Sequence, residues 1–290
     1  MDIPPTERAV LSMLALAEAE RIPALSRDEL LGSIHTKESP DLALAALVNR
    51  GVIANDGGFF MLDRQENAAQ ARTTAKRISE EKLRAVRLPL QLICALPSVR
   101  AVTIIGSVAF ENARQDSDID VFILAAQGRA WTARLCALAI AELFGMRREK
   151  RRSPHKLCVS YIIAEDADIP IRNIASAHLF ARAKVLCGTT HFTAWRARNA
   201  WMQEHLRYDV PRESGERAPH KKQWGAGNTF ERLARTWQQQ RLAHKQQTAC
   251  DPEHFICTNN TILLAHPESK NKKVMERFDA IMQTVTALTI

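Results

Sequence analysis

The stretch that most constrains the fold runs from Val99 to Ala125 and reads VRAVTIIGSVAFENARQDSDIDVFILA. Two apolar, β-branched runs, VTII and IDVFIL, are separated by a segment too polar and too rich in turn formers to continue either. They predict two neighbouring strands, with Gly106-Ser107 closing the first and Asp118 opening the second. Period-two alternation sets Asp118 and Asp120 on one face of that second strand. Two adjacent carboxylates repel, and they persist most readily where a cation neutralises them. A hard divalent ion such as Mg2+ or Mn2+ takes one or two carboxylates and completes its shell with substrate phosphate. Gly106 lets backbone N–H groups approach an anion closely, and the Ser107 hydroxyl adds a donor. A phosphate cradle beside a metal-binding pair is the apparatus of in-line nucleotidyl transfer, in which metal stabilises the attacking and leaving oxygens.

The rest of the chain is that of an ordinary globular protein. At 290 residues, 46% hydrophobic and 25% charged, it can bury a sizeable core in two or three domains. No apolar run approaches the roughly 20 residues that span a bilayer. The opening MDIPPTERAV carries acids where a secretion signal carries bases, so no membrane association and a cytoplasmic location are expected. Six cysteines (94, 136, 158, 187, 250 and 257) form no CxxC pair, and buried free thiols are expected of them. The net charge of +8 is uneven: residues 1–64 hold six Lys/Arg against ten Asp/Glu, and the remainder holds 34 against 22. A polyanion such as RNA or DNA is therefore expected to meet the core and C-terminal region and not the N-terminal one.

Four segments follow from the pattern. Residues 1–64 read as three helices and a hairpin, a winged helix, with Thr6 and Ser26 as caps, Glu29 completing a capping box, Pro40 opening the third helix and Asn55-Asp56-Gly57-Gly58 turning the hairpin. Residues 65–98 read as a linker with a long polar helix stopped near Pro89. Residues 99–190 carry the strands VRAVTIIG, DIDVFIL and KLCVSYII, with a helix, RAWTARLCALAIAELFG, between the second and third. Residues 191–290 read as helical and basic, with a loop over 212–228. The expected fold class is α+β: a winged helix, a small α/β core with a mixed sheet, and a helical C-terminal region.

The segment GSVAFENARQDSDIDVFIL resembles the GS-x-A…SD-x-D signature of the polymerase-β-like nucleotidyltransferases. GRAWTAR, KLCVSYII, NIASAHLFARAKVLCG and LLAHP are similar to segments of a group of larger prokaryotic members with an N-terminal winged helix. The resemblance implies that Gly106 and Ser107 hold the triphosphate of an NTP substrate and that Asp118 and Asp120 bind Mg2+ or Mn2+. The expected activity is transfer of a nucleoside monophosphate to an acceptor the sequence does not name. The third carboxylate of many active relatives has no counterpart: LCVSYII offers Ser160 near the expected position, and Glu165 and Asp166 lie too far along. That departure keeps a second reading open, a nucleotide-sensing or nucleic-acid-binding regulatory protein.

Weaker signals surround this motif. Arg129, opening the helix after the second strand, is a candidate phosphate ligand, balanced against an arginine lying over the sheet. Trp131 reads as core, His178 as a buried histidine and His266 as structural. The run RREKRRSPHK (147–156) is a candidate polyanion contact. The third helix of the winged module, SPDLALAALVNR, has Arg50 as its one cation, too few for a groove reader.

Overall fold

A computed structural model describes residues 3–34, 39–63, 65–147, 155–207, 227–247, 256–257, 261–264 and 270–289. The fold is α+β, with ten α-helices and a mixed sheet among these residues. The RREKRRSPHK run beyond Arg147 up to Pro154, positions 212–226 of the expected loop, and His266 lie outside them.

The first segment contains α1 (Pro5–Ala19), α2 (Arg27–Leu31) and α3 (Pro40–Asn49), with a three-stranded antiparallel sheet in the order β1 (Leu25–Ser26), β3 (Phe59–Met61), β2 (Ala54–Asp56). Ser26 and Glu29 form the expected capping box: the Glu29 N–H donates to Ser26 Oγ and the Ser26 N–H to Glu29 Oε2. Thr6 is not a cap. The helix starts at Pro5, two residues before the Glu7 start that a Thr6 cap implies, and Thr6 is buried inside it. At the hairpin, Gly57 and Gly58 both take positive φ, and Asn55 Oδ1 accepts from the Gly58 N–H.

The connecting segment forms two helices, α4 (Ala68–Ala85) and α5 (Arg87–Ala95). The break falls at Val86 and not at Pro89, because Pro89 occupies the first turn of α5, where its missing N–H costs nothing. The central sheet has the order β7 (Lys184–Cys187), β4 (Val99–Ile105), β5 (Ile119–Ala125), β6 (Leu157–Ala164), β9 (Ile262–Leu264), β8 (Ile256–Cys257). Among the described strands of this sheet only β5 and β6 run parallel, joined by α6 (Ala130–Leu143), as a parallel pair requires. Every residue of β4 and β5 is buried, so both strands are covered on both faces. Phe122, two residues beyond Asp120 on the same face, enters an aromatic cluster with Phe180, Phe192 and Trp195 from α7 (Ile174–Ala181) and α8 (Thr189–Arg198).

The C-terminal region is not wholly helical. Besides α9 (Gly227–Gln247) and α10 (Lys270–Thr289) it supplies β8 and β9, and β9 pairs with β6. Helix α10 packs against α1, and Arg277 Nη1 donates to the Ala19 carbonyl 2.8 Å away. Helix α9 packs against α6, where the buried Glu231 carboxylate accepts from the Trp131 and Thr132 N–H groups. The expectation of free thiols fails for two cysteines: Cys94, at the end of α5, is disulfide-bonded to Cys187 on β7. Cys136 and Cys158 are free. No helix among the described residues is long and apolar enough to cross a membrane.

Candidate functional site

β4 and β5 are antiparallel, with Ile105 opposite Asp120, so the end of one strand and the start of the other meet at the same edge of the sheet. Gly106 and Ser107 leave β4 in a 3-10 turn over Gly106–Val108, and Asp118 and Asp120 bracket the first residue of β5. Gly106 has φ +69°, and a Cβ built on it would lie 3.0 Å from Asp120 Oδ2. The glycine is thus required twice over: an L side chain avoids this left-handed conformation, and the methyl would press on the carboxylate. Asp120 is buried and Asp118 is half-buried.

The structure therefore brings four sequence-predicted residues together, Gly106, Ser107, Asp118 and Asp120. It does not bring Arg129. That residue caps α6 beyond the far end of β5, and Asp120 and Ala125 alone are about 17 Å apart at about 3.4 Å per residue. Trp131 is buried core, and His178 is buried with its Nδ1 2.8 Å from Glu20 Oε2.

On the parallel neighbour β6, the residue in register with Asp120 is Cys158, and the register then shifts by one residue before Tyr161. Ser160 lies in that irregular step. Glu165, past the opposite end of β6, is engaged elsewhere: Arg100 Nε donates to both of its oxygens at 3.1 and 3.2 Å. Among the described residues no group of three His, Cys, Asp or Glu side chains is gathered closely enough to hold a metal. The pair of hard oxygen donors beside a glycine that leaves them room suits Mg2+ or Mn2+, which completes its shell from water and phosphate, better than it suits a softer ion held wholly by protein.

Sequence reasoning missed the support beneath this site. The polar helix α4 sends three buried side chains onto the connection between the Gly-Ser turn and the aspartates. Arg72 Nη1 donates to the carbonyls of Phe110 and Glu111 at 3.2 and 3.0 Å. Ser79 Oγ accepts from the Ala113 N–H at 3.2 Å. Lys82 Nζ donates to the carbonyls of Gln115 and Ser117, both at 2.9 Å, and the residue is fully buried. Burial pulls the Lys82 ammonium below the usual lysine range, while the charges of Asp118 and Asp116 act in the opposite sense.

The N-terminal module grips the same connection. Glu29 Oε1 accepts from Arg72 Nη2 at 2.7 Å and from Arg182 Nη2 at 2.6 Å, and Arg182 lies over the Phe110 ring. Burial raises the Glu29 carboxyl, but Arg182 and Arg72, with the Ser26 N–H, outweigh it and hold the group below the usual carboxylate range. Asn112 Nδ2 donates to the Arg21 carbonyl at 3.0 Å. Two cations of that module are paired with carboxylates: Arg27 with Asp41, and Arg50 with Glu7.

Comparison with family models, with curated proteins and with solved structures yields no match.

Proposed function

We propose that this chain is a metal-dependent nucleotidyltransferase of the polymerase-β-like kind, with an N-terminal winged helix and a nucleotidyltransferase core. The observation that carries the reading is the shared sheet edge at which left-handed Gly106 lies against the Asp120 carboxylate, with Ser107 and Asp118 beside them. Asp118 and Asp120 would hold Mg2+ or Mn2+, and that ion when bound supplies the positive charge that in-line transfer needs at the phosphates. Ser107 and the backbone following Gly106 orient the triphosphate by donating hydrogen bonds, so that the α-phosphate faces the carboxylate edge.

The test is incubation with each labelled NTP and Mg2+ or Mn2+, following pyrophosphate release. Turnover is expected from the wild type, and none from Asp118→Asn combined with Asp120→Asn, with circular dichroism checking that the variant folds, since it removes the mutual repulsion but also the attraction of Asp118 for Lys82. Equal release from the double variant sinks the reading.

The second reading, a nucleotide-sensing or nucleic-acid-binding regulatory protein, is favoured by one observation: Cys158, and no acid, stands in register with Asp120 on β6. Under it the double variant loses NTP binding by calorimetry, while the wild type binds NTP without releasing pyrophosphate.

A further inference from the structure

The helix read as a linker is built as a template. Arg72, Ser79 and Lys82 are spaced seven and three apart, which aligns them on one face of α4. Their partners follow in the same order along the connection: Phe110 and Glu111, then Ala113, then Gln115 and Ser117. The last of these partners is the residue immediately before Asp118. A fully buried ammonium is costly unless it is paired and hydrogen-bonded. A methionine of the same length would fill the space but supply no donor to these two carbonyls. Besides its charge near Asp118, the ammonium adds direction: it fixes two carbonyls in the final turn before β5, and so fixes where the Asp118 backbone enters the strand. Asp118 sits just outside β5, one residue before the strand begins.

From this arrangement we propose that Lys82 is a positioning residue for the carboxylate pair, holding Asp118 in the geometry that binds a divalent cation. The inference rests on the reading of Asp118 and Asp120 as metal ligands. Outer-shell partners of metal ligands typically account for about 10- to 100-fold in metal affinity, and that range is expected here.

The experiment titrates the full chain with Mn2+ alone, followed by electron paramagnetic resonance, for wild type, Asp118→Asn/Asp120→Asn, Lys82→Met and Lys82→Arg. Amide hydrogen exchange of residues 110–119 is read in parallel, and circular dichroism identifies any variant that fails to fold. If Lys82→Met does not fold, Lys82→Gln replaces it. The expected result is Mn2+ affinity reduced by about 10- to 100-fold in Lys82→Met, with an altered spectrum for the bound ion and faster exchange confined to the connection, and partial recovery of all three in Lys82→Arg. Wild type that binds Mn2+ together with a Lys82 variant that binds it equally, with the same spectrum, overturns this proposal alone. Wild type that does not bind Mn2+, or a double aspartate variant that binds it as well as wild type, overturns the metal reading and this proposal with it.

Discussion

Gly106 shows how a single residue can be read from sequence and still hold information that only the structure supplies. Its place at the end of an apolar run marks a turn, but its closeness to Asp120 depends on the antiparallel register of β4 and β5. Gly106→Ala should therefore do two kinds of damage. The left-handed backbone costs about 1–2 kcal/mol for any L side chain. The new methyl, 3.0 Å from Asp120 Oδ2, also displaces the carboxylate. Chemical denaturation should register the first loss, and Mn2+ titration should show a weakened site beyond it; an unchanged Mn2+ affinity would separate Gly106 from the metal. Lys82 was illegible for the opposite reason. In the sequence it is one of many cations on a polar helix, where lysine ordinarily faces water. Its burial depends on a connection thirty-odd residues later folding back over it, and no local pattern encodes that. Arg129 fails differently: adjacency to a strand says nothing about which end of the strand does the chemistry.

At the level of elements, the N-terminal helices and hairpin were legible because capping chemistry and turn glycines are local signals. What they pack against was not. The sequence marks Glu29 as a capping-box residue, and it is one, but its other oxygen joins α2 to α4 and to Arg182 just after α7. Glu29→Gln would leave two largely buried guanidinium groups without their carboxylate. Removing one partner of such a set costs about 3–5 kcal/mol, toward the lower end here because Glu29 and Arg182 retain some exposure. The pH dependence follows from the sign of the shift. The folded-state pKa of Glu29 is depressed, so its contribution is fully present above the unfolded value near 4.3 and is lost as pH falls through the lower folded value. Urea unfolding of wild type and Glu29→Gln should thus differ most at neutral pH and converge under acid; a gap that stays constant down to pH 3 would assign the loss to packing.

The whole molecule is tied by links between segments distant in sequence. The Cys94–Cys187 disulfide closes a loop with a sequence separation of 93, joining α5 to the edge strand β7 across the entire site-bearing sheet segment. Sequence could not pair these cysteines, because spacing without a structural frame leaves every combination open. A loop of that size is worth about 2–4 kcal/mol when closed. Reductant should lower the melting temperature of the wild type by about 5–10 °C and leave Cys94→Ser unaffected, as scanning calorimetry would show. The charge asymmetry belongs to this scale too. It was legible as a count, and the structure adds that Arg27 and Arg50 on the acidic module are each matched by a carboxylate.

The packing of α10 on α1 has a consequence for how the chain comes to be folded. Synthesis runs from the N-terminal end, and α1 emerges some 250 residues before the helix that covers it. The strand β9 that extends the sheet beyond β6 is likewise made late. Contacts of such long sequence range form slowly, because loop-closure entropy is lost before they return any stabilisation. The apolar side of α1 facing α10 therefore stays open to solvent, or to a chaperone, through nearly the whole of translation. Ribosomes that stall before α10 would release chains whose earliest-made part is the least protected, and these are the species expected to aggregate.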